Sequence, residues 1–116
     1  MNTRERNTAA AVWDELRRYL TSREVALMNE LRHYPGPIAR CDEQLPKLIE
    51  QRSAVRSELA AMDSADASPD VAPARVAFLR RFLSSAALGE DSHEAVLRSR
   101  AAIAVSASNA AAPPPR

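Results

Sequence analysis

Glycine is almost missing from this chain of 116 residues: Gly36 and Gly89 are the only two. That excludes the glycine-rich loops that cradle phosphates, which need close backbone approach at several positions. Lysine is rarer still, with Lys47 alone beside fifteen arginines. A single cysteine, Cys41, allows neither an internal disulfide nor a thiolate metal cluster. No segment approaches the ~18 consecutive apolar residues of a membrane span, and Met1-Asn2-Thr3-Arg4-Glu5-Arg6 lacks the apolar stretch of a signal peptide. The expected location is the cytoplasm. The alanine- and arginine-rich composition reads as GC-rich coding and points to a bacterial source.

What is present favours helix. The chain is 46% hydrophobic, but 23 of those residues are alanine, which buries little area. Only 28 larger apolar or aromatic residues follow Met1. A full burial is worth roughly 1.5–3 kcal/mol per large side chain and must offset the ordering entropy of the whole backbone. Such a core is lean, which points to apolar faces shared with a partner. Charge is balanced at 16 basic and 15 acidic residues. The balance also holds locally, so neither the basic face nor the basic tail of a nucleic-acid or anionic-membrane binder is evident. β-Branched and aromatic residues never alternate, so no strand is expected.

The reading is all-α, one small domain over 1–106 with a disordered Ala/Pro-rich tail over 107–116. A first helical segment spans about 8–34, with Thr8 as cap and an apolar stripe of Val12, Leu16, Tyr19 and Leu20 beside Trp13. Thr21-Ser22-Arg23-Glu24 has the form of a capping box, and the stripe slips there before resuming at Leu27, Met28 and Leu31. One continuous or mildly bent helix is favoured over a fresh start at Ser22. Tyr34-Pro35-Gly36-Pro37-Ile38 then stops the helix and forms a rigid elbow. A second helix over about 42–62 starts at Asp42 with Pro46 in its first turn. It carries Leu45, Leu48, Arg52, Val55, Leu59 and Met62 at alternating steps of three and four, a short coiled-coil seam. Packed back across the elbow, the two form a helical hairpin. Residues 63–70 read as a polar linker. Two further helices are expected over about 71–88, with Phe78 and Phe82 on one face, and over about 91–105 after the capping box Asp91-Ser92-His93-Glu94.

Chemistry finds little footing. His33, Cys41, Asp42 and His93 are the metal-ligand types, and no pair has the spacing of a structural zinc motif. A Cys41–His33 dyad would lack a shaped pocket and oxyanion donors. No cofactor, small-molecule substrate or catalytic activity is expected. Leu20-Thr21-Ser22-Arg23-Glu24-Val25-Ala26-Leu27-Met28 resembles the opening helix of LuxR-type helix-turn-helix domains, a Leu-Thr-x-Arg-Glu stretch followed by aliphatics. The resemblance covers nine residues and implies a helix beginning there and a DNA-binding function. The Pro-Gly-Pro elbow stands where that family continues into its turn and recognition helix. Protein interaction is therefore the favoured function, as a small adaptor or regulatory protein and possible homodimer. Its candidate contact residues are the seam Leu45, Leu48, Arg52, Val55, Leu59 and Met62, the Phe78/Phe82 pair and the elbow Tyr34–Ile38. A small DNA-binding regulator is the alternative, with nucleic acid the less expected partner.

Overall fold

The computed structural model describes residues 7–33, 44–88 and 91–111. Among them the chain is all-helical: α1 (Ala9–Arg32), α2 (Gln44–Asp66), α3 (Val71–Ser84) and α4 (Ser92–Ala111). Each helix packs on its neighbours in the chain, and α4 returns to α1 to close a four-membered ring. The elbow Tyr34–Ile38 and the expected cap Asp42 lie outside the described residues.

α1 starts where the sequence places it. The Thr8 hydroxyl accepts from the Ala11 backbone N–H at 3.2 Å, satisfying one of the helix's orphan donors. It then runs without a break through Thr21, so the capping-box letters there do not start a helix. Thr21 and Ser22 are exposed on a helix already carried by its neighbours. This also removes the local feature behind the LuxR-type resemblance: Leu20–Met28 lies in the middle of a 24-residue helix rather than at the head of one.

The core gathers where all four helices meet. Val12, Trp13, Leu16, Tyr19 and Leu20 from α1 face Val55, Met62 and Ala65 from α2, Phe78, Leu79 and Phe82 from α3, and Leu97, Ala101, Ala104 and Val105 from α4. Trp13 meets Phe78 edge-on at 5.2 Å between ring centroids, and Phe78 stacks on Phe82 at 6.0 Å. Alanine therefore serves as core filler in α4, letting that helix approach α1 closely.

Three helix ends differ from the sequence expectation, each through a tertiary contact. α2 continues through 63–66, the first half of the expected linker, because its acidic residues have partners. Asp63 accepts from Arg17 at 2.7 Å, and Asp66 accepts from Arg17 at 2.7 Å, Arg75 at 2.8 Å and the Trp13 indole N–H at 3.3 Å. One carboxylate thus ties α1, α2 and α3 together, and Arg75 also lies over the Trp13 ring at 5.2 Å. α3 stops at Ser84, four residues early, where the Ser85 hydroxyl takes up the Phe82 carbonyl at 2.7 Å. α4 continues to Ala111, so 107–111 of the expected tail is helical, with buried Ala104 and Val105 anchoring that end.

The Asp66 junction has a pH signature. The hydrogen bond from Arg75 is the largest cause holding the Asp66 carboxyl below its usual value, with Trp13 and Arg17 adding to it against desolvation. A carboxyl with a lowered folded pKa contributes stability that is complete above its unfolded value and disappears as pH falls through the folded one. The melting temperature is therefore expected to fall as pH drops below about 4. Asp66→Asn should melt several degrees lower at neutral pH and lose part of that acid dependence, as followed by circular dichroism.

Candidate interaction surfaces

The residues the sequence marks for contact divide between core and surface. Val55 and Met62 are buried at 1% and 0% exposure, and Phe78 and Phe82 are buried with them. Leu48 and Leu59 are half-buried against the same core. The C-terminal part of the α2 seam thus packs within the chain. Leu45, at the other end of α2, is exposed. Arg52 is half-buried, and its Nε is cut off from solvent with no hydrogen-bond partner among the described residues.

The exposed large hydrophobics form two groups, Val25, Leu45 and Ile49 on the hairpin, and Val96 and Ile103 on α4. The first group is set by the register of α1 against α2. Arg17 pairs with Asp63 and Glu24 with Arg56 at 3.6 Å, which fixes an antiparallel pair with Met28 level with Arg52. Within α2, Leu45, Ile49, Arg52 and Arg56 follow helical spacing along one face. α2 meets α3 on another face, where Glu58 pairs with Arg81 at 3.7 Å. Within α1, Val25, Met28 and Arg32 share a face, with Met28 half-buried. Beyond Leu20, α1 buries only Leu27, and before Val55, α2 buries nothing fully among its described side chains. The far end of the hairpin thus carries apolar side chains that its own core leaves uncovered.

Sequence reasoning did not single out Val25 and Ile49 as surface residues: Val25 falls in the slip between the two parts of the α1 stripe, and Ile49 only widens the α2 stripe. The usable signal was the excess width of the stripe: Ile49, one turn from Leu45, widens it beyond Leu48.

Several polar groups among the described residues are committed to structure. Arg17, Arg75, Arg98 and Arg100 pair with Asp63 and Asp66, Asp66, Glu94, and Glu15. Tyr19 donates its hydroxyl to Asp91 at 2.9 Å while its ring meets His93 edge-on at 4.9 Å. Burial, and then that hydrogen bond, push the Tyr19 phenol well above its usual range. Asp91 in turn is held low, chiefly by the backbone N–H of His93 that it caps. An open trough of about 680 Å³ lies between α2 and the turn after α3, lined by Lys47, Glu50, Gln51, Ala54 and Ala86–Leu88. No nucleophile–base pair converges on it. Among the described residues no three of His, Cys, Asp and Glu come together to hold a metal ion, and no helix is long and apolar enough to cross a membrane. Set beside known proteins, the chain matches no family model, no curated protein and no solved structure.

Proposed function

We propose that this chain is a non-catalytic helical interaction protein, an adaptor or regulator of the bacterial cytoplasm, whose partner docks on the far end of the α1/α2 hairpin. The observation that carries this reading is the pair Leu45 and Ile49, one turn apart near the start of α2 and exposed at 37% and 54%, with Val25 exposed at 56% further along α1 beside half-buried Met28. An apolar patch at the end of two antiparallel helices suits an amphipathic helix laid across it, with Arg32 and Arg56 as charged rims. Single exposed aliphatics are ordinary on protein surfaces, whereas a group on adjoining helix faces is the usual mark of a contact site.

The commitment of four arginines weighs against the DNA-binding alternative. Affinity for nucleic acid rises with the number of Lys and Arg that reach phosphates, and here Arg17, Arg75, Arg98 and Arg100 are tied to carboxylates within the fold.

The test is capture from the native host's lysate with tagged protein, followed by mass spectrometry, for the native chain and for Leu45→Asp/Ile49→Asp. The double variant is expected to lose the specific partner by at least tenfold while its melting temperature stays within a few degrees, because both side chains are on the surface. Equal capture by both proteins would remove the hairpin end as the site. A specific duplex recovered by selection at physiological salt would favour the DNA-binding reading instead.

A further inference from the structure

We propose that α4 is a self-association helix: two copies of the chain pair through its outward face, antiparallel about a two-fold axis. The inference does not rest on the hairpin reading, since it concerns another helix and another partner.

The charge distribution on α4 runs opposite to that of an ordinary surface helix, which keeps polar and charged residues toward water. From Glu94 onward the charged side chains are Glu94, Arg98 and Arg100, and all three point inward. Glu94 is 1% exposed and accepts from the Leu88 backbone N–H at 3.0 Å and from Arg98 at 2.8 Å. The Arg98 guanidinium reaches the carbonyls of Phe82, Ser85 and Ala86, and Arg100 pairs with Glu15. The outward face from Ala95 to Ala107 is left without a single charge. It carries Val96 and Ile103, exposed at 54% and 51%, with Ser99, Ala102 and Ser106 between and beyond them.

Those residues also have a register. Val96, Ser99, Ile103 and Ser106 follow steps of three, four and three, the a/d spacing of a helix–helix seam. Large and small residues alternate along it. In an antiparallel pair whose two-fold axis passes level with residue 101, Val96 of one copy lies opposite Ser106 of the other, and Ser99 opposite Ile103. Every layer then sets one large side chain against one small one, the arrangement that fills space between facing helices. A parallel pair would instead stack Val on Val and Ser on Ser, alternating crowded layers with voids. The face is self-complementary in the sense that an isologous two-fold contact requires. It buries no charge on pairing, and the serine hydroxyls can bond back to the carbonyls one turn earlier in their own helix. Antiparallel α4 helices also oppose their macrodipoles favourably. A second copy is the occupant this pattern fits, because the same four residues supply both the knobs and the spaces that receive them.

The experiment is sedimentation equilibrium of the full chain over about 1–300 µM, which reads dissociation constants in the micromolar range expected of a small contact. The native chain is expected to dimerise within it. Ile103→Glu and Ser99→Arg should each weaken the dimer by tenfold or more with the melting temperature at low concentration unchanged, since both positions face water in the monomer. Orientation is read by disulfide cross-linking in a Cys41→Ser background. A mixture of Val96→Cys and Ser106→Cys chains should cross-link between unlike chains, while Val96→Cys alone should not. A monomer at every concentration, a dimer that survives Ile103→Glu, or ready cross-linking of Val96→Cys with itself would each overturn the proposal. A dimer broken by Leu45→Asp/Ile49→Asp but not by the α4 variants would place self-association on the hairpin end and overturn it equally. Loss of partner capture with the dimer intact bears on the hairpin reading alone, so the two proposals fail separately.

Discussion

Arg98→Ala is expected to cost about 3–5 kcal/mol of folding free energy, the usual loss when one member of a buried ion pair is removed. For a chain of this size that is a fall of roughly 10–20 °C in melting temperature. The size of the effect follows from how much one guanidinium does. It accepts nothing and donates to four groups: the Glu94 carboxylate and the carbonyls of Phe82, Ser85 and Ala86. Those carbonyls belong to the end of α3 and the turn beyond it, where a helix leaves its last acceptors unsatisfied. The positive charge lies at the negative end of the α3 dipole and 4.2 Å above the Phe82 ring centroid. Removing it deprives the Glu94 carboxylate, which is 1% exposed, of its Arg98 counter-charge, while the hydrogen bond from the Leu88 N–H is neutral. The double variant Arg98→Leu/Glu94→Leu should therefore be more stable than Arg98→Ala, because it removes the buried charge along with its partner. Urea unfolding of the single and double variants measures this directly. A single variant within about 1 kcal/mol of the native chain would mean that water satisfies the α3 carbonyls equally well.

Trp13→Ala is expected to be comparably damaging, at about 3–5 kcal/mol for a large aromatic removed from a core. Trp13 is 1% exposed, packs edge-on against Phe78, lies under the Arg75 guanidinium, and donates its indole N–H to Asp66. Trp13→Phe separates these contributions: it keeps most of the ring area and loses the hydrogen bond, so it should cost distinctly less. In a core with few large side chains, neither loss can be absorbed by neighbours. Thermal melts of the two variants side by side test the ranking, and a Trp13→Phe chain as unstable as Trp13→Ala would put the weight on the indole N–H rather than on packing.

The helices themselves were legible in the sequence because local rules set most of their beginnings. Thr8 caps α1 and Pro46 sits in the first turn of α2. Asp91 caps α4 with its carboxylate on the His93 N–H. Their ends were less legible, because distant groups set them. Asp63-Ser64-Ala65-Asp66 has the letters of a loop, and it stays helical because Arg17, 46 residues from Asp63, and Arg75 neutralise it. Ala101, Ala104 and Val105 are buried in a helix that packs on α1 and α3, an anchor that spacing alone does not reveal. The Thr21 capping box starts no helix, in keeping with the continuous helix that the sequence favoured. A strong local start signal has no effect inside a helix already propagating with its apolar face buried.

The candidate surface was partly legible for the same reason. The α2 seam was visible as a pattern, but a pattern carries no statement of which half of it the chain covers. Val55 and Met62 are buried in the shared core of a helix that packs on α1 and α3, while Leu45 is exposed. The inward turn of Glu94, Arg98 and Arg100 was not visible at all. Charges spaced along a helix read as a solvated face until the carbonyls they serve are in view.

The uninterrupted α1 also has a mechanical meaning. At 1.5 Å per residue its 24 residues form a rod about 36 Å long, rooted by Trp13 in the core and carrying Val25 toward its other end. A break at Thr21 would have made a soft joint between those two points. Without one, a displacement applied at Val25 reaches Trp13 as tilt of a stiff lever, opposed by the aromatic stack and the Asp66 junction together. Whatever grips the hairpin end pulls on the foundation of the fold rather than on a pliable arm.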